Sequence, residues 1–406
     1  MEYNFPEVPK HHMSLKTLKM QKNLRGKRVL LRVDFNVPIA HGKVKSDADS
    51  RILAALPTID FLRKSGAKTI IVAHLGRPEG REKKFSLAPV ANYLAKGLGE
   101  NVLFVKENLE QVGKVERALS PLKDGGIAML ENIRFYKGEK MNDAGFARRL
   151  ASLGDLYVDD AFADAHRDHA SITSIAAFLP SVAGFLMETE VTQLSKLLQR
   201  PKRPFVVLLG GAKVADKLPV IERMQKLAST VLVGGGMANA FLRAKGFQTG
   251  RSTVTAAEVK IAKRFLKKKN VLIPIDVLTA KRLDDRAQPI VRKPKEVRRD
   301  EFIIDVGVET IRAWSTILKK AKTIVWNGPV GLFEVKKFSH GSLALGRVIA
   351  ARSSGEAFGV VGGGETVQCL ERTGMAQFVD HVSSGGGAML EFLAGETLPG
   401  VKVLKK

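Results

Sequence analysis

Cysteine, tryptophan and long apolar runs are scarce in this sequence of 406 residues. Its one cysteine, Cys369, excludes an intramolecular disulfide and fits a reducing compartment. No stretch of about eighteen apolar residues is present, which excludes a membrane-spanning helix. The N-terminal stretch also lacks an apolar core of signal-peptide length. We therefore expect a cytoplasmic protein without a membrane partner.

Acidic residues are few relative to basic ones, with 41 Asp and Glu against 66 Lys and Arg and a net charge of +25. Such a balance favours anionic partners, namely nucleic acid, an acidic membrane or phosphorylated metabolites. The densest basic runs are residues 263–269, 292–299 and 319–322, and Phe265 is the only aromatic residue within them. A stacking platform for single strands needs several aromatics. We interpret these runs as solvated surface and expect no specific nucleic acid, although a basic nucleic-acid-binding protein stays open as an alternative.

Several nucleotide-binding motifs are missing. The pattern G-x-x-x-x-G-K-[ST] does not occur, which excludes a P-loop enzyme. A G-x-G-x-x-G followed by an acid about twenty residues on is also missing, which weakens a nicotinamide dehydrogenase reading. Residues 166–168 read His-Arg-Asp like a protein-kinase catalytic loop, but the required Asn is Thr173 and no Asp-Phe-Gly follows. We interpret this match as a coincidence.

Short apolar runs alternate with helix-length amphipathic segments along the whole chain. This alternation is typical of βα units and a parallel sheet, and the length favours two domains. In the first half, strands are predicted at residues 29–33, 69–72, 102–105, 127–130 and 156–158. In the second half, they are predicted at residues 205–209, 230–233, 271–274, 323–326 and 358–361. Helices are predicted between them, for example at residues 55–65, 88–97, 217–227 and 366–372.

A domain boundary is predicted near residues 187–203. The stretch there has helical character, and the sequence PKRP at 201–204 ends it before the next strand. The predicted fold is therefore α/β, with two doubly wound parallel-sheet, Rossmann-like domains joined by a hinge helix. Residues 1–187 form the first domain, 188–204 the connecting helix and hinge, and 205–388 the second domain.

In the first half, polar residues follow the predicted strands. Ligands of open α/β sheets bind at the carboxyl ends of the strands, so these residues are expected to converge there. The planar fork of Arg suits a phosphate or carboxylate because it donates two hydrogen bonds. The pattern favours an anion site over a set of separate surface ion pairs. Its candidate members are the groups that follow the strands, at residues 34–36, 73–77, 131–134, 159–162 and 166–169, together with Arg51 at the start of a helix.

In the second half, glycines follow the strands, at residues 210–211, 234–236 and 362–364. Glycine lets the backbone approach a ligand closely, and a helix that begins there directs N–H groups at anions. This repetition favours a polyphosphate lying across the sheet edge. Lys213 and Lys217 are placed to clamp its oxygens. Together the two halves predict phosphoryl transfer between a nucleotide and a small anionic metabolite.

Nine motifs in this order give the chain a likeness to a known family. They are RVDFNVP (32–38), AHLGRP (73–78), LENIRF (130–135), DAFADAHR (160–167), GGAKVADK (210–217), GGGMA (234–238), WNGPVGLFE (326–334), GGGET (362–366) and SSGGGA (383–388). The chain resembles the phosphoglycerate kinase family from about residue 24 to residue 403. The resemblance implies reversible transfer between ATP and 3-phosphoglycerate that gives ADP and 1,3-bisphosphoglycerate. It also implies Mg²⁺ and a C-terminal tail, 389–406, that returns to the first domain. We expect a cytoplasmic monomer.

The resemblance also assigns residues to roles. Arg51 and Lys213 are expected to meet the charge of the phosphoryl group in flight, and Glu365 is expected to hold Mg²⁺. The residues expected to bind phosphoglycerate are Asp34, Phe35, Asn36, Arg51, His74, Leu75, Gly76, Arg77, Arg134 and Arg167. The residues expected to bind the nucleotide are Gly211, Lys213, Lys217, Gly234, Gly235, Asn327, Pro329, Glu334, Gly363, Gly364, Glu365 and Thr366.

Two positions depart from the family pattern. The family usually has Asp where Glu365 stands, and it more commonly has FGTAHR where this chain has FADAHR at 162–167. Glu365 still offers oxygen to Mg²⁺, which requires octahedral geometry at about 2.1 Å. Asp164 adds a negative charge beside the predicted anion site. A nucleotide-binding scaffold that has lost catalysis is therefore a second alternative, although the presence of both Arg51 and Lys213 argues against it.

Overall fold

The computed structural model describes residues 14–45, 49–212 and 217–406. These residues divide into two compact units. The first unit contains the described residues up to Thr192 together with Thr397–Lys406, and the second unit contains Gln193–Glu396. Among the described residues, no helix combines the length and the apolar character needed to cross a membrane.

The first unit is built on a parallel sheet with the strand order β5-β6-β4-β1-β7-β8. Its strands are β1 Arg28–Arg32, β2 Ile39–Ala40, β3 Lys43–Val44, β4 Lys68–Val72, β5 Val102–Val105, β6 Ile127–Leu130, β7 Leu156–Asp159 and β8 Ser181–Ala183. Its helices are α1 Ser50–Lys64, α2 Ala88–Leu98, α3 Val112–Leu119, α4 Lys137–Lys140 and α5 Ala144–Ala151, with α6 Phe185–Gln199 leading into the second unit. Strands β2 and β3 form a separate antiparallel pair.

Both faces of the first sheet are covered by apolar side chains. Val29 and Leu31 of β1 belong to one hydrophobic cluster, and Leu30 between them belongs to the cluster on the other face. This alternation explains why the strand reads as an unbroken apolar run. After β1 the chain continues to β4, and after β7 it continues to β8, so the two connections run toward opposite edges of the sheet. The ends of β1 and β7 therefore form the switch point at which ligands bind in such folds.

The second unit contains a parallel sheet with the order β11-β10-β9-β15-β16-β17 and a small antiparallel sheet with the order β13-β12-β14. Its strands are β9 Phe205–Leu209, β10 Thr230–Val233, β11 Val271–Leu272, β12 Val277–Ala280, β13 Ile290–Arg292, β14 Phe302–Val306, β15 Thr323–Asn327, β16 Phe358–Gly362 and β17 His381–Ser383. Its helices are α7 Leu218–Leu227, α8 Gly235–Ala244, α9 Ala256–Leu266, α10 Val308–Lys319, α11 His340–Ser353, α12 Gly364–Arg372 and α13 Gly386–Ala394. The switch point here lies between β9 and β15.

The C-terminal residues pair with the start of the described chain in the first unit. The N–H of Lys406 donates to the carbonyl of Ser14, and the N–H of Lys16 donates to the carbonyl of Leu404. The short helix α14, Pro399–Lys402, lies in this segment, and the N–H of Gly400 donates to the carbonyl of Ala165. Helix α13, in contrast, packs on α7 of the second unit.

The predicted α/β class with two parallel sheets is confirmed, and the main differences lie at sheet edges and helix starts. The edge strands β8 and β17 and the antiparallel sheet were not predicted. Strands β8, β13 and β17 have three residues each, and so short a run carries only a weak pattern. Helix α1 begins at Ser50, five residues before the predicted start, and it continues through Pro57. Buried residues on both sides of that proline, Ile52 and Ile59, hold the helix to the core.

Candidate active site

The loop after β1 is joined to α1 and to the loop after β4 by hydrogen bonds from side chains. Asp34 Oδ1 accepts from the N–H of Asn36 at 3.0 Å. Asp34 Oδ2 accepts from Arg51 Nη1 at 2.5 Å, which ties Arg51, the second residue of α1, to the end of β1. Asn36 Oδ1 accepts from the N–H of Gly76 at 2.8 Å. Asp34, Asn36, Arg51 and Gly76, all predicted members of the site, are therefore in one network.

Asn132 positions the arginine that follows β6. Its Oδ1 accepts from the N–H of Arg134 at 3.0 Å and from the N–H of Leu75 at 3.3 Å. Its Nδ2 donates to the carbonyls of Leu75 and Phe85. Arg134 is then placed so that Nη1 donates to the carbonyl of Gly76 at 3.0 Å. Asn132 has no assigned role among the predicted binding residues; its place after a strand was the available signal.

A buried carboxylate lies among the basic groups at the switch point. Asp164 is 2 % exposed and contacts four basic side chains from four segments of the chain, which we name the basic cluster. The basic cluster consists of Arg32, His74, Arg134 and Arg167. Burial alone would raise the pKa of Asp164, but the charges of His74 and Arg32 and their hydrogen bonds outweigh burial and hold it below its ordinary value. Asp164 is therefore ionised.

The basic side chains crowd one another as well. Burial lowers the pKa of Arg167; the charge of Asp34 opposes this, while the charges of Arg32, Arg77 and Arg51 lower it further. Such crowding of like charges is typical of an anion-binding site.

A metal site is the alternative to an anion site at this edge, because Asp34, His74 and Asp164 offer ligand atoms within 4.8 Å of one another. Guanidinium groups already bond to both carboxylates, so a metal cation would meet positive charge there.

Three further predicted residues, Phe35, Leu75 and Arg77, and the neighbouring Asp160 differ in what they offer to the site. The side chain of Phe35 is fully buried in the core, and Leu75 is also buried, so these two offer backbone atoms only. Arg77 is exposed. Asp160 follows β7, but its Oδ1 accepts from the N–H groups of Leu186 and Met187 at the start of α6. Its carboxylate therefore fixes that helix rather than contributing to the anion site.

In the second unit, backbone segments meet so closely at the switch point that side chains would not fit. The N–H of Gly210 donates to the carbonyl of Asn327 at 3.0 Å, and the N–H of Gly211 donates to the carbonyl of Pro329 at 2.8 Å. A Cβ on Gly210 would lie 2.1 Å from the carbonyl oxygen of Pro329. Gly235 has a φ of +64°, and a Cβ there would lie 2.7 Å from the nitrogen of Gly211. Glycine is required here by close approach and by backbone conformation.

Side chains at the same edge hold the turns together. Lys217 Nζ donates to Asn327, at 2.9 Å to the carbonyl and 2.5 Å to Oδ1. Asn327 Nδ2 donates to the carbonyl of Gly362 at 2.9 Å, and Thr366 Oγ1 accepts from the N–H of Gly328 at 2.7 Å. Lys217 is the residue before α7 rather than part of its first turn. Lys213 lies outside the described residues.

Adjoining cavities open at these turns. One of about 250 Å³ is lined by Gly235, Pro329 and Glu334, among others. The next, of about 320 Å³, is lined by Lys217, Asn327, Gly363, Gly364 and Thr366, among others. Glu365 and Gly211 border both cavities. Gly234 immediately precedes α8, whose first residue is Gly235. Apart from Gly234, the predicted nucleotide residues within the described chain therefore line these two adjoining cavities.

Glu365 is suited to a hard cation. It is exposed in the first turn of α12 and borders both cavities, so its carboxylate oxygens are accessible. Mg²⁺ is commonly bound by one or two carboxylates together with substrate phosphates and water. An accessible carboxylate beside the glycine turns fits this pattern, and Glu334, also exposed, lines one of the same cavities.

The comparisons with known proteins agree with one another. The model of the phosphoglycerate kinase family matches residues 19–396. A phosphoglycerate kinase of Desulforudis audaxviator is 48 % identical over 94 % of this chain and 97 % of its own length. That of Moorella thermoacetica is 44 % identical over 97 % of this chain and 99 % of its own. The solved structure of phosphoglycerate kinase from Coxiella burnetii covers 96 % of this chain and 99 % of its own, at a TM-score of 0.85 and 38 % identity.

Proposed function

The chain belongs to the phosphoglycerate kinase family and functions as a phosphoglycerate kinase, a phosphotransferase, and we propose that its two switch points bind the two substrates. The Asp34–Arg51–Asn36 network and the basic cluster bind 3-phosphoglycerate or 1,3-bisphosphoglycerate. The glycine turns of the second unit bind ATP or ADP. The observation that carries this proposal is the contrast between the two edges, one built from cationic side chains and the other from backbone turns. A nucleic-acid-binding function gains no support from the comparisons.

The reaction needs positioning and charge stabilisation rather than proton transfer. The acceptor is a carboxylate that is ionised at pH 7, so no general base is required. Charge grows on the equatorial oxygens of the phosphoryl group during transfer. We assign Arg51 and Lys213 to meet that charge. Arg51 is held for this role by its 2.5 Å contact with Asp34. Positioning of reactants by such fixed groups supplies a large share of the rate acceleration.

The remaining parts of the proposal concern the metal and the motion. Mg²⁺, when bound, neutralises charge on the phosphate oxygens of the nucleotide, and Glu365 is the residue that we propose holds it. We propose that residues 1–187 form the phosphoglycerate domain and 205–388 the nucleotide domain. Of the tail predicted at 389–406, only the part from Thr397 onward belongs to the former, because the second unit includes the residues up to Glu396. Because the substrates bind different domains, transfer requires a closing motion, which we assign to residues 187–204. Closure also excludes water, which would hydrolyse the acyl phosphate.

The test is ADP release from Mg²⁺–ATP by the purified protein, with and without 3-phosphoglycerate. An enzyme that removes the acyl phosphate keeps the reaction running forward. We expect ADP release to depend on both 3-phosphoglycerate and that removal. ADP release that is the same without 3-phosphoglycerate contradicts the proposal. A folded protein that binds ATP but releases no ADP contradicts it as well, and then favours the scaffold alternative.

A further inference from the structure

The two oxygens of Asp164 serve different parts of the basic cluster. Oδ2 accepts from Arg32 Nη2 at 2.8 Å and lies 3.0 Å from His74 Nδ1. Oδ1 lies 3.2 Å from Arg167 Nη1 and 3.5 Å from Arg134 Nη2. The contacts to Arg32 and His74 are therefore tighter than those to Arg134 and Arg167.

The Oδ2 side of this carboxylate is structural. Arg32 is fully buried, and its other donors bond to Ser171 Oγ at 3.0 Å and to the carbonyl of Val33 at 2.5 Å. A guanidinium without a counter-ion is costly in such a place. Asp164 supplies that counter-ion directly, through a charge-assisted hydrogen bond.

The Oδ1 side faces the groups that are proposed to bind substrate. Among the described residues, Arg134 Nε and Nη2 are buried and donate no hydrogen bond, while Arg134 Nη1 donates to Gly76. Arg167 is 30 % exposed at its side chain, so a ligand can reach it. These donors are suited to an anion, yet an ionised carboxylate already lies 3.2–3.5 Å from them. A substrate phosphate or carboxylate that binds there meets this negative charge.

We propose that Asp164 is a positioning residue, an internal anion that neutralises part of the basic cluster and weakens its affinity for phosphoglycerate and for small inorganic anions. The phosphoglycerate part of this inference rests on the proposed function; the inorganic-anion part does not. Asp164 acts through Arg134 and Arg167 and takes no part in the transfer itself. Its effect is therefore on KM for phosphoglycerate, while kcat and KM for ATP are little changed.

The size of the effect follows from Coulomb's law. A unit charge about 6 Å from a bound anion, at an effective dielectric constant of about 20, changes affinity by about 100-fold. Counter-ions and water screen part of this interaction. We expect that removal of the charge lowers KM for phosphoglycerate by about 10-fold, with kcat changed less than about 3-fold.

The experiment compares the parent with Asp164→Asn, which keeps the shape of the side chain but removes its charge, and with Asp164→Thr, which introduces the residue more common in the family. Asp155→Asn is the matched control, because Asp155 pairs with Arg28 at 2.7 Å at the other end of β1. Circular dichroism checks the fold of each variant. If Asp164→Thr fails to fold because Arg32 loses the acceptor of its 2.8 Å hydrogen bond, Asp164→Asn decides the matter, because its amide oxygen can still accept from Arg32.

Two readouts separate this inference from the proposed function. Calorimetric titration with inorganic sulfate measures anion affinity without any turnover, and steady-state kinetics give KM and kcat for phosphoglycerate. We expect Asp164→Asn to bind sulfate about 10-fold more tightly than the parent, with Asp155→Asn unchanged. Sulfate affinity that is equal or weaker in Asp164→Asn overturns the inference, even if the parent is active. A parent without phosphoglycerate-dependent ADP release overturns the proposed function, while the sulfate result still decides the role of Asp164.

Discussion

Asp305, at the end of β14, makes the stability of the second unit depend on pH. Its carboxylate is buried, and it accepts from the N–H of Gly341 at 2.7 Å and from the N–H of Val306 at 2.8 Å. Burial raises the pKa of Asp305 from 3.8 to about 7, against the opposing effect of these two hydrogen bonds. The folded state therefore holds a proton on this group that the unfolded chain releases at lower pH.

The sign and size follow from proton linkage. Because the folded pKa is raised, the stabilisation is fully present below the unfolded pKa and is lost as pH rises through about 7. At pH 5.5 the group lies about 1.5 units below its folded pKa, and each unit corresponds to about 1.36 kcal/mol. The second unit is therefore expected to be more stable at pH 5.5 than at pH 8 by about 2 kcal/mol from Asp305 alone.

The assay is urea unfolding followed by tryptophan fluorescence, with the parent compared with Asp305→Asn at both pH values. The two tryptophans of the chain, Trp314 and Trp326, both lie in the second unit and are buried, so the signal reports that unit. Asn stays neutral at both pH values. The free energy of unfolding of the parent relative to the variant should fall by about 2 kcal/mol between pH 5.5 and pH 8.

The control is Asp285→Asn, which removes an exposed acid from the same unit. Its stability relative to the parent should be the same at both pH values. Asp305→Asn also loses one acceptor for a backbone N–H, which costs about 1 kcal/mol at every pH; only the difference between the pH values counts. A parent-to-variant difference that does not change with pH refutes the assignment of a buried, proton-holding Asp305.

Three further predictions concern the proposed reaction. Arg51→Ala should lower kcat by about 1,000-fold while KM for ATP changes little, measured by steady-state kinetics; an unchanged kcat removes Arg51 from its role. Lys213→Ala should lose turnover while its circular dichroism spectrum stays that of the parent. The control Lys260→Ala, at an exposed position, should keep both the turnover and the spectrum of the parent. A normal rate in Lys213→Ala would assign the charge-stabilising role to another residue. Gly328 has a φ of +95°, and a Cβ there would lie 2.3 Å from the carbonyl oxygen of Gly210. Gly328→Ala should therefore lose more than about 1 kcal/mol of stability and bind Mg²⁺–ATP more weakly. Gly355→Ala is the control and should show neither effect, because its Cβ would lie 3.7 Å from the carbonyl oxygen of Arg352.

The fold was largely predictable because buried parallel strands carry a strong signal. The predicted strands at 102–105, 127–130, 205–209 and 230–233 have the bounds that the structure shows. Their continuous apolar runs reflect burial on both faces of the sheet. Strand β11 ends at Leu272, two residues before the predicted end, at Pro274. A proline lacks the N–H that a ladder requires, which favours the earlier end.

The members of the proposed phosphoglycerate site could be named from the sequence more readily than the side chains that contact them. Position after a strand was enough to select Arg134 and Arg167. It was not enough to show that Asp164 turns inward, because its orientation depends on Arg32 and His74, which are 132 and 90 residues away in the chain. Arg32 itself looked like a strand residue, and only the folded sheet shows that it is fully buried beside Asp164. Long-range charge pairing of this kind leaves no periodic signal in a sequence.

The edges at the carboxyl ends of the two parallel sheets also differ in the amino-acid substitutions that they tolerate. At the edge of the second unit, a Cβ on Gly210 or Gly328 would overlap neighbouring backbone, so these positions accept only glycine without rearrangement. At the edge of the first unit, charges on side chains form the site, and a charge can be added or exchanged if a counter-charge compensates it. Asp164 is such an addition, and Arg32, which bonds to it at 2.8 Å, is its compensation. Glu365 is likewise a side-chain exchange, made at an exposed position where a longer arm meets no packing constraint. Neither Asp164 nor Glu365 therefore stands at a position where close backbone approach requires glycine.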